Sequence, residues 1–296
     1  VMVSALPSNA KVHKQVADMG ATISQYLLPE TTAYHEIWLE GSDEKDYADN
    51  WNSIFESRTL GPKKKKTLVS GNALVDVEPI YGPTYLPRKF KVNIAVPPYN
   101  DVDVWSSDVG LIAIVNPSTQ IVEGYNMYVG GGMGTTHNNV KTYPRTGSSF
   151  GFVLPEDVPR AIECVMLVQR DFGDRTNRKH ARLKYTIDDL TIPVYKAKTE
   201  EIWGKKFQPE RSFEITSNID FFGWAKDEEG FNHFTCFIEN GRVEDTPDLP
   251  QKTGFRKIAE YFASVNTKGH FRLTGNQHVL ISGIEDEHLS VVKDLM

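Results

Sequence analysis

Three cationic side chains stand close together in the chain: Arg88, Lys89 and Lys91. From Phe90 onward, apolar residues occupy alternate positions, which predicts a half-buried β-strand over residues 89–96. On such a strand Lys89 and Lys91 share a face, and residues 85–100 contain no acid to neutralise them. Adjacent ammonium groups repel each other unless an anion bridges them. The pattern therefore predicts a polyanion-binding strand, with a solvated, lysine-protected edge strand as the alternative.

A second concentration of cations lies between residues 170 and 184. Its members are Arg170, Arg175, Arg178, Lys179, Arg182 and Lys184. Arg178 and Arg182 are four positions apart, so on a helix they would share a face. Two guanidinium groups on one face suit bidentate recognition of carboxylates. Salt bridges to the protein's own acidic residues are the alternative.

A glycine cluster, Gly130-Gly-Gly-Met-Gly134, directly follows a predicted strand. Glycines at such a place let backbone N–H groups approach a phosphate or a carboxylate. The spacing matches neither a P-loop nor a complete dinucleotide fingerprint, so a mobile turn is the alternative. Nearby His137 has no second ligand at metal-binding spacing, and no metal site is predicted.

Composition bounds the class of protein. The 296 residues are 40% hydrophobic and 24% charged, which is typical of a soluble protein with one large domain or two. A net charge of -6 argues against nucleic-acid or membrane partners, and no secretory signal or membrane-spanning run is visible. The two cysteines, Cys164 and Cys236, form no CxxC motif. They indicate a reducing, cytoplasmic location without a disulfide framework.

Hydrophobic periodicity predicts an α+β fold, with mixed sheets flanked by helices. Helices are predicted over residues 8–27, 155–172, 188–204 and 253–264, and from 285 onward. Strands are predicted over residues 32–39, 89–96, 109–115, 119–129, 221–225, 233–239, 271–274 and 279–282. Residues 41–82 are predicted to form a long loop or insertion. The tetralysine run Lys63–Lys66 inside it indicates a solvated loop, with a nucleic-acid or targeting patch as the alternative.

Several strings carry a resemblance to a known family. In chain order they are Leu86–Lys91, Asn100–Asp103, Gly130–Gly134, Gln169–Arg175, Lys179–Arg182 and Gly269–Gln277. Together they resemble the siroheme-dependent sulfite/nitrite reductase haemoproteins, and in particular their assimilatory, sulfite-reducing branch. The resemblance implies a central siroheme- and substrate-binding domain over residues 1–222. It also implies one ferredoxin-like half-domain over residues 223–296.

The resemblance also implies roles for individual residues. Arg88 and Arg182, with Arg178 beside them, would bind carboxylates of siroheme, and Gly131 and Gly132 would lie against that cofactor. Lys89 and Lys91 would be catalytic, because an ammonium group both contacts an oxyanion and donates protons. Nitrite-reducing relatives tend to carry Asn at the position of Lys91. Lysine there favours sulfite, and nitrite reduction is the alternative.

The implied cofactors are siroheme and a [4Fe–4S] cluster. Such a cluster needs four thiolates, and the chain has two cysteines in total. We therefore expect the cluster ligands to lie outside these residues, in a C-terminal part of the same enzyme. Further arginines that hold siroheme and substrate are expected in an N-terminal part, and the chain alone is expected to be inactive. The expected electron donor is a separate NADPH-linked flavoprotein rather than ferredoxin. A non-catalytic scaffold is the alternative from another class of protein.

Overall fold

The structure is a computed structural model that describes residues 1–8, 10–31, 33, 37–40, 66–70 and 77–296. Two compact units are present. One consists of Leu28–Tyr85, and the other combines Val1–Leu27 with Leu86–Met296. All of the candidate site residues belong to the second unit.

The larger unit contains a five-stranded mixed sheet in the order β1-β4-β5-β6-β7. Its strands are β1 (Met2–Val3), β4 (Val92–Ala95), β5 (Val109–Asn116), β6 (Ile121–Val129) and β7 (Ser148–Val153). Strand β4 runs parallel to β1 and to β5, whereas β5, β6 and β7 are antiparallel. The strand predictions over residues 109–115 and 119–129 are confirmed. Mixed sheets flanked by helices confirm the predicted α+β class.

Strand β4 differs from the strand predicted over residues 89–96. It begins at Val92, after the lysines, and all of its residues are buried. Neighbouring strands pair with it on both sides, so the half-buried strand and the lysine-protected edge strand are both wrong. A parallel strand inside a sheet is covered on both faces. Polar Asn93 is accommodated because its side-chain amide donates to the carbonyl of Val102 over 2.6 Å.

Two long helices agree with the predicted spacing. Helix α1 (Lys11–Tyr26) buries Val12, Val16 and Ile23, and α2 (Val158–Phe172) has Pro159 in its first turn, where its missing N–H costs nothing. Cys164 lies in the fully buried part of α2, as predicted for a small apolar side chain.

The helix predicted over residues 188–204 is instead two helices, α3 (Leu183–Leu190) and α4 (Ile192–Trp203). The break is at Thr191, whose φ of 71° is incompatible with a continuous right-handed helix. Because α3 begins at Leu183, Arg178 and Arg182 precede it, and the prediction that they share a helix face is wrong.

In the smaller unit, the structure differs from two further predictions. Strand β2 (Ile37–Glu40) is shorter than the strand predicted over residues 32–39, and it pairs antiparallel with β3 (Lys66–Ser70). Strand β3 lies within the predicted loop, which is therefore wrong at residues 66–70. Residues 41–65 and 71–76 lie outside the described part of the chain, and so does most of the tetralysine run.

The C-terminal part is a four-stranded antiparallel sheet in the order β10-β11-β9-β8, with two helices. Its elements are β8 (Gly223–Lys226), β9 (Asn232–Cys236), α5 (Gln251–Ser264), β10 (His270–Leu273), β11 (Val279–Ile284) and α6 (Leu289–Leu295). This is the predicted order of strands and helices. Its core includes Ile238, Ile258 and Ile281, with the apolar faces of both helices packed against the sheet.

The string Gly269–Gln277 joins this sheet to the N-terminal segment. The guanidinium of Arg272 donates to the carbonyls of Leu6 and Ser8 over 3.2 and 2.8 Å. Asp220 accepts hydrogen bonds from Thr274 and Asn276 over 3.0 and 3.1 Å. The polar groups of this string therefore hold two parts of the larger unit together.

Candidate functional site

Asp108 connects the cationic segment to the glycine cluster. Its carboxylate accepts the backbone N–H of Lys91 over 2.8 Å, and its own carbonyl accepts the N–H of Gly130 over 2.8 Å. Asp108 directly precedes β5, and it is buried. Pairing of β5 with β6 brings it opposite the glycines at the end of β6. Segments that are separate in sequence therefore meet at Asp108, one at its carboxylate and the other at its backbone carbonyl.

Lys184 fixes the other side of the glycine cluster. Its ammonium group is fully buried and donates to the carbonyls of Gly132 and Gly134 over 3.0 and 2.9 Å. It also donates to the carbonyl of Tyr143, and the ring of Tyr185 lies 4.9 Å from the same nitrogen. A charged donor with three backbone acceptors holds the cluster in one conformation. The sequence marks Lys184 only as one of several cations, and its burial was not predicted.

The first three N–H groups of the glycine cluster are engaged within the protein. Gly131 donates to the carbonyl of Ser107 over 3.0 Å, and Gly132 donates to that of Arg145 over 2.7 Å. The prediction that the N–H groups of this cluster face an anion is therefore wrong for these two residues. Glycine is needed at 131 for a different reason: a Cβ there would lie 2.1 Å from the carbonyl oxygen of Trp105.

The five predicted cationic site residues form no salt bridge with an acid in the part of the chain that the structure describes. They are Arg88, Lys89, Lys91, Arg178 and Arg182. Lys89, Lys91 and Arg178 are exposed. Arg182 lies beside the glycine cluster, because a methyl group added at Gly134 would be 3.9 Å from its Nη2. The alternative that Arg178 and Arg182 serve internal salt bridges has no support here.

The charges around Asp108 and Lys184 influence each other. Burial raises the pKa of Asp108 from 3.8 to about 6, against the opposing effects of the Lys91 N–H and the positive charges of Arg182 and Lys91. Burial, and then Arg182, lowers the pKa of Lys184, while Asp108 and Asp188 oppose this. The arrangement is one buried carboxylate among several cations. The excess of positive charge suits the binding of anions.

Replacing Asp108 with Asn is expected to stabilise the protein in a pH-dependent way. The folded-state pKa of about 6 exceeds the unfolded value of 3.8, so the free energy of unfolding falls as pH rises between these values and is constant above them. Asn removes the buried charge and keeps an acceptor for Lys91. We expect a gain of up to about 3 kcal/mol near pH 8 and little gain near pH 4.

Urea unfolding at the two pH values measures this difference. The exposed Asp103, replaced by Asn, is the control and should change little at either pH. Equal effects of Asp108→Asn at both pH values would contradict the prediction.

The two cysteines do not fit an iron–sulfur cluster. Cys164 and Cys236 are both buried free thiols, and burial raises the pKa of each to about 11, which opposes thiolate formation. Within the described ranges, no group of three or more His, Cys, Asp or Glu side chains is arranged to hold a metal ion. His137 is exposed.

No described helix has both the length and the apolar character that crossing a membrane requires.

The fold is α+β, and Arg182, which forms no salt bridge with a described acid, lies beside a glycine cluster held by Lys184. The family described as "Nitrite and sulphite reductase 4Fe-4S domain" matches residues 19–207, which is more than half of the chain. The "Nitrite/Sulfite reductase ferredoxin-like half domain" matches residues 225–296. The chain therefore belongs to the nitrite and sulphite reductase family, as the resemblance implied. The division into 1–222 and 223–296 stays a prediction.

Individual relatives agree with this family. The chain is 71% identical over 296 residues to "Sulfite reductase [NADPH] subunit beta" of Saccharomyces cerevisiae, covering all of this chain and 20% of that protein. It is 41% identical over 295 residues to "Sulfite reductase [NADPH] hemoprotein beta-component" of a Shewanella species, covering all of this chain and 46% of that protein. The chain thus spans less than half the length of these relatives.

A solved structure shares the fold over most of the chain. "Structure of Mycobacterium tuberculosis NirA protein" superposes with a TM-score of 0.55 at 26% identity. The superposition covers 70% of this chain and 35% of that one. The wider α+β architecture is therefore that of a known fold.

Proposed function

We propose that this chain forms part of the siroheme and substrate site of an assimilatory sulfite reductase, which reduces sulfite to sulfide. One observation carries the proposal: Arg88, Lys89, Lys91 and Arg182 form no salt bridge with a described acid, Asp108 joins the backbone of Lys91 to that of Gly130, and Arg182 lies beside Gly134. Unpaired cations on a fixed scaffold suit a polyanionic cofactor and an oxyanion substrate. The names of the relatives support sulfite as that oxyanion.

Siroheme fits the residues present, because its carboxylates require several cations at one place. Arg88 and Arg182 would bind these carboxylates, with exposed Arg178 as a further contact. Gly131 and Gly132 would contact the macrocycle through their backbone, because their N–H groups are engaged elsewhere and the side-chain space at Gly131 is filled by the carbonyl oxygens of Trp105 and Ser107. When bound, siroheme supplies the iron at which sulfite is reduced.

Lys89 and Lys91 would serve the substrate. Both side chains are exposed and free of ion pairs with described acids, so each can contact an oxyanion and donate a proton to it. The backbone of Lys91 is fixed by Asp108, which limits where its side chain can reach. Fixed cations stabilise developing negative charge more than mobile ones do.

The remaining parts of the enzyme would come from outside these residues. A [4Fe–4S] cluster needs four thiolates, and the chain contains two cysteines, so we place the cluster ligands in another part of the enzyme. The relatives' names contain NADPH, which supports a separate flavoprotein as electron donor. A cytoplasmic location fits this proposal.

The test uses the protein in its full natural length. We expect siroheme absorbance bands in the purified protein and sulfite-dependent oxidation of a reduced artificial donor. Arg182→Met should lower the siroheme content several-fold, whereas Lys179→Met, an exposed cation in the same basic stretch, should not. Absence of siroheme from the unmodified protein, or equal effects of the two variants, would contradict the proposal.

Lys91→Asn is expected to lower sulfite turnover more than nitrite turnover. The variant removes one cation from the proposed substrate site while Asp108 still accepts the backbone N–H of residue 91. Sulfite, with two negative charges, should lose about tenfold or more in kcat/KM, and nitrite, with one, about threefold or less. Steady-state kinetics with both oxyanions on one preparation measure the ratio. An equal loss on both substrates would refute the specificity argument.

A further inference from the structure

Asp108 is a buried carboxylate that faces titratable or charged groups from several elements. Lys91 lies on the segment before β4, and Arg182 and Lys184 lie at the start of α3. Tyr195 of α4 is also close enough to interact with it: burial, and then the negative charge of Asp108, raise the pKa of that phenol. The hydroxyl of Tyr195 donates to the carbonyl of Val165 over 2.7 Å, so this phenol is held in place. Asp108 therefore lies where the cationic segment, the glycine cluster and α3 meet.

The hydrogen bonds of Asp108 do not require its charge. An Asn side chain has the same shape and an oxygen that accepts the N–H of Lys91, and the bond to Gly130 uses the backbone carbonyl. Ionising a buried carboxyl is unfavourable, and burial outweighs the nearby cations at this position. A group that costs stability beside a candidate binding site points to a role in binding.

We propose that Asp108 is a positioning residue of the anion site, and that its carboxylate takes up a proton from solvent when an oxyanion binds there. Without the anion, the ionised carboxylate partly offsets the positive charges of Lys91, Arg182 and Lys184. When an anion binds, it takes over that neutralising role, and a second negative charge beside it becomes unfavourable. Once Asp108 is protonated, its carboxyl group no longer competes with the bound anion for the positive charges around it. The inference rests on the proposed function only for the identity of the natural anion.

Thermodynamic linkage makes the effect reciprocal. If anion binding increases the affinity of Asp108 for a proton, protonation increases the affinity of the site for the anion by the same factor. The affinity for an anion should therefore fall as pH rises through the titration of Asp108, and then level off. Histidines titrate in the same range, so a pH dependence alone does not identify the group. The difference between variants does.

The experiment uses sulfate, which keeps its double charge across the range from about pH 5 to about pH 8. Sulfate affinity is measured through thermal stabilisation of the protein in its full natural length. Sulfate also stabilises proteins non-specifically, so Lys91→Met, which removes a cation assigned to the oxyanion and keeps the backbone N–H that Asp108 accepts, sets the baseline. Asp101→Asn is the matched control: Asp101 is equally buried, and its carboxylate accepts the N–H of Ala5 and the hydroxyl of Ser4 instead.

In the unmodified protein and in Asp101→Asn, sulfate affinity should fall about fivefold or more between the lowest and highest pH. In Asp108→Asn it should stay constant, at the higher level. Three results overturn the proposal: no binding above the Lys91→Met baseline, no pH dependence in the unmodified protein, or the same pH dependence in Asp108→Asn. Siroheme content and sulfite turnover of the same preparations test the proposed function separately. If the unmodified protein reduces sulfite but Asp108→Asn keeps the same pH dependence of sulfate affinity, the proposed function stands and the inference is refuted.

Discussion

Lys184→Met is expected to lower the free energy of unfolding by about 2 to 4 kcal/mol. Methionine fills a similar volume but donates no hydrogen bond. Gly132 keeps a second donor, the N–H of Arg145 at 3.0 Å, whereas Gly134 and Tyr143 lose the charged donor of their carbonyls. Leaving acceptors unsatisfied costs more than a hydrogen bond contributes on average. The glycine cluster should also lose its fixed conformation.

Urea unfolding measures the change in stability, and siroheme content measures the change in the site. Lys179→Met is the control, because Lys179 is exposed and lies in the same basic stretch. Lys184→Arg should be intermediate, since the guanidinium keeps the charge but its planar fork does not match acceptors arranged around one nitrogen. A loss below about 0.5 kcal/mol for Lys184→Met, within the range of ordinary surface substitutions, would show that the buried ammonium is unimportant for stability.

Gly131→Ala is expected to destabilise the protein by about 3 kcal/mol or more. The new methyl carbon would lie 2.1 Å from the carbonyl oxygen of Trp105 and 2.7 Å from that of Ser107. Both obstacles are backbone atoms, so neither can move away through a side-chain rotation. Relief requires separation of the glycine cluster from the segment before β5, and the hydrogen bond from Gly131 to Ser107 would be lost with it.

Gly134→Ala provides a matched control within the same cluster. A methyl group there meets only Arg182, at 3.9 Å, which is ordinary van der Waals contact. We expect a change of about 0.5 kcal/mol or less. Thermal unfolding of the two variants side by side makes the comparison, and similar losses in both would mean that the clash at 131 is not the cause.

The sequence predicts elements best where one periodicity dominates. Helices α1 and α2 have apolar residues at helical spacing and were predicted closely. Strand β4 was not, because Asn93 made a fully buried segment resemble an alternating one. Its burial depends on a hydrogen bond to Val102 that only the folded chain provides. The break between α3 and α4 at Thr191 likewise has no periodic signal, since apolar spacing continues on both sides of it.

The sequence likewise predicts some of the candidate site residues and misses others. The exposed cations, such as Lys89 and Lys91, are visible as an unneutralised cluster in the sequence. Asp108 and Lys184 are not, because charged residues are normally assigned to the surface. Their burial is explained by partners that are distant in the chain, namely the N–H of Lys91 and the carbonyls of Gly132 and Gly134. The position of Asp108 directly before the apolar run of β5 was the available hint.

The cations Lys89 and Lys91 and the strand that follows them differ in their contribution to the packing of the fold. Strand β4 is buried along its whole length, while Lys89 and Lys91 are exposed and lie before it. Exchange of either lysine therefore leaves the packing of the sheet unchanged and costs little stability. Under the proposed function, substrate preference at this position can therefore change during evolution without a compensating change in the core. A single substitution in this short segment would then be selected for its effect on substrate binding and not for its effect on folding. The buried strand that follows does not have this freedom.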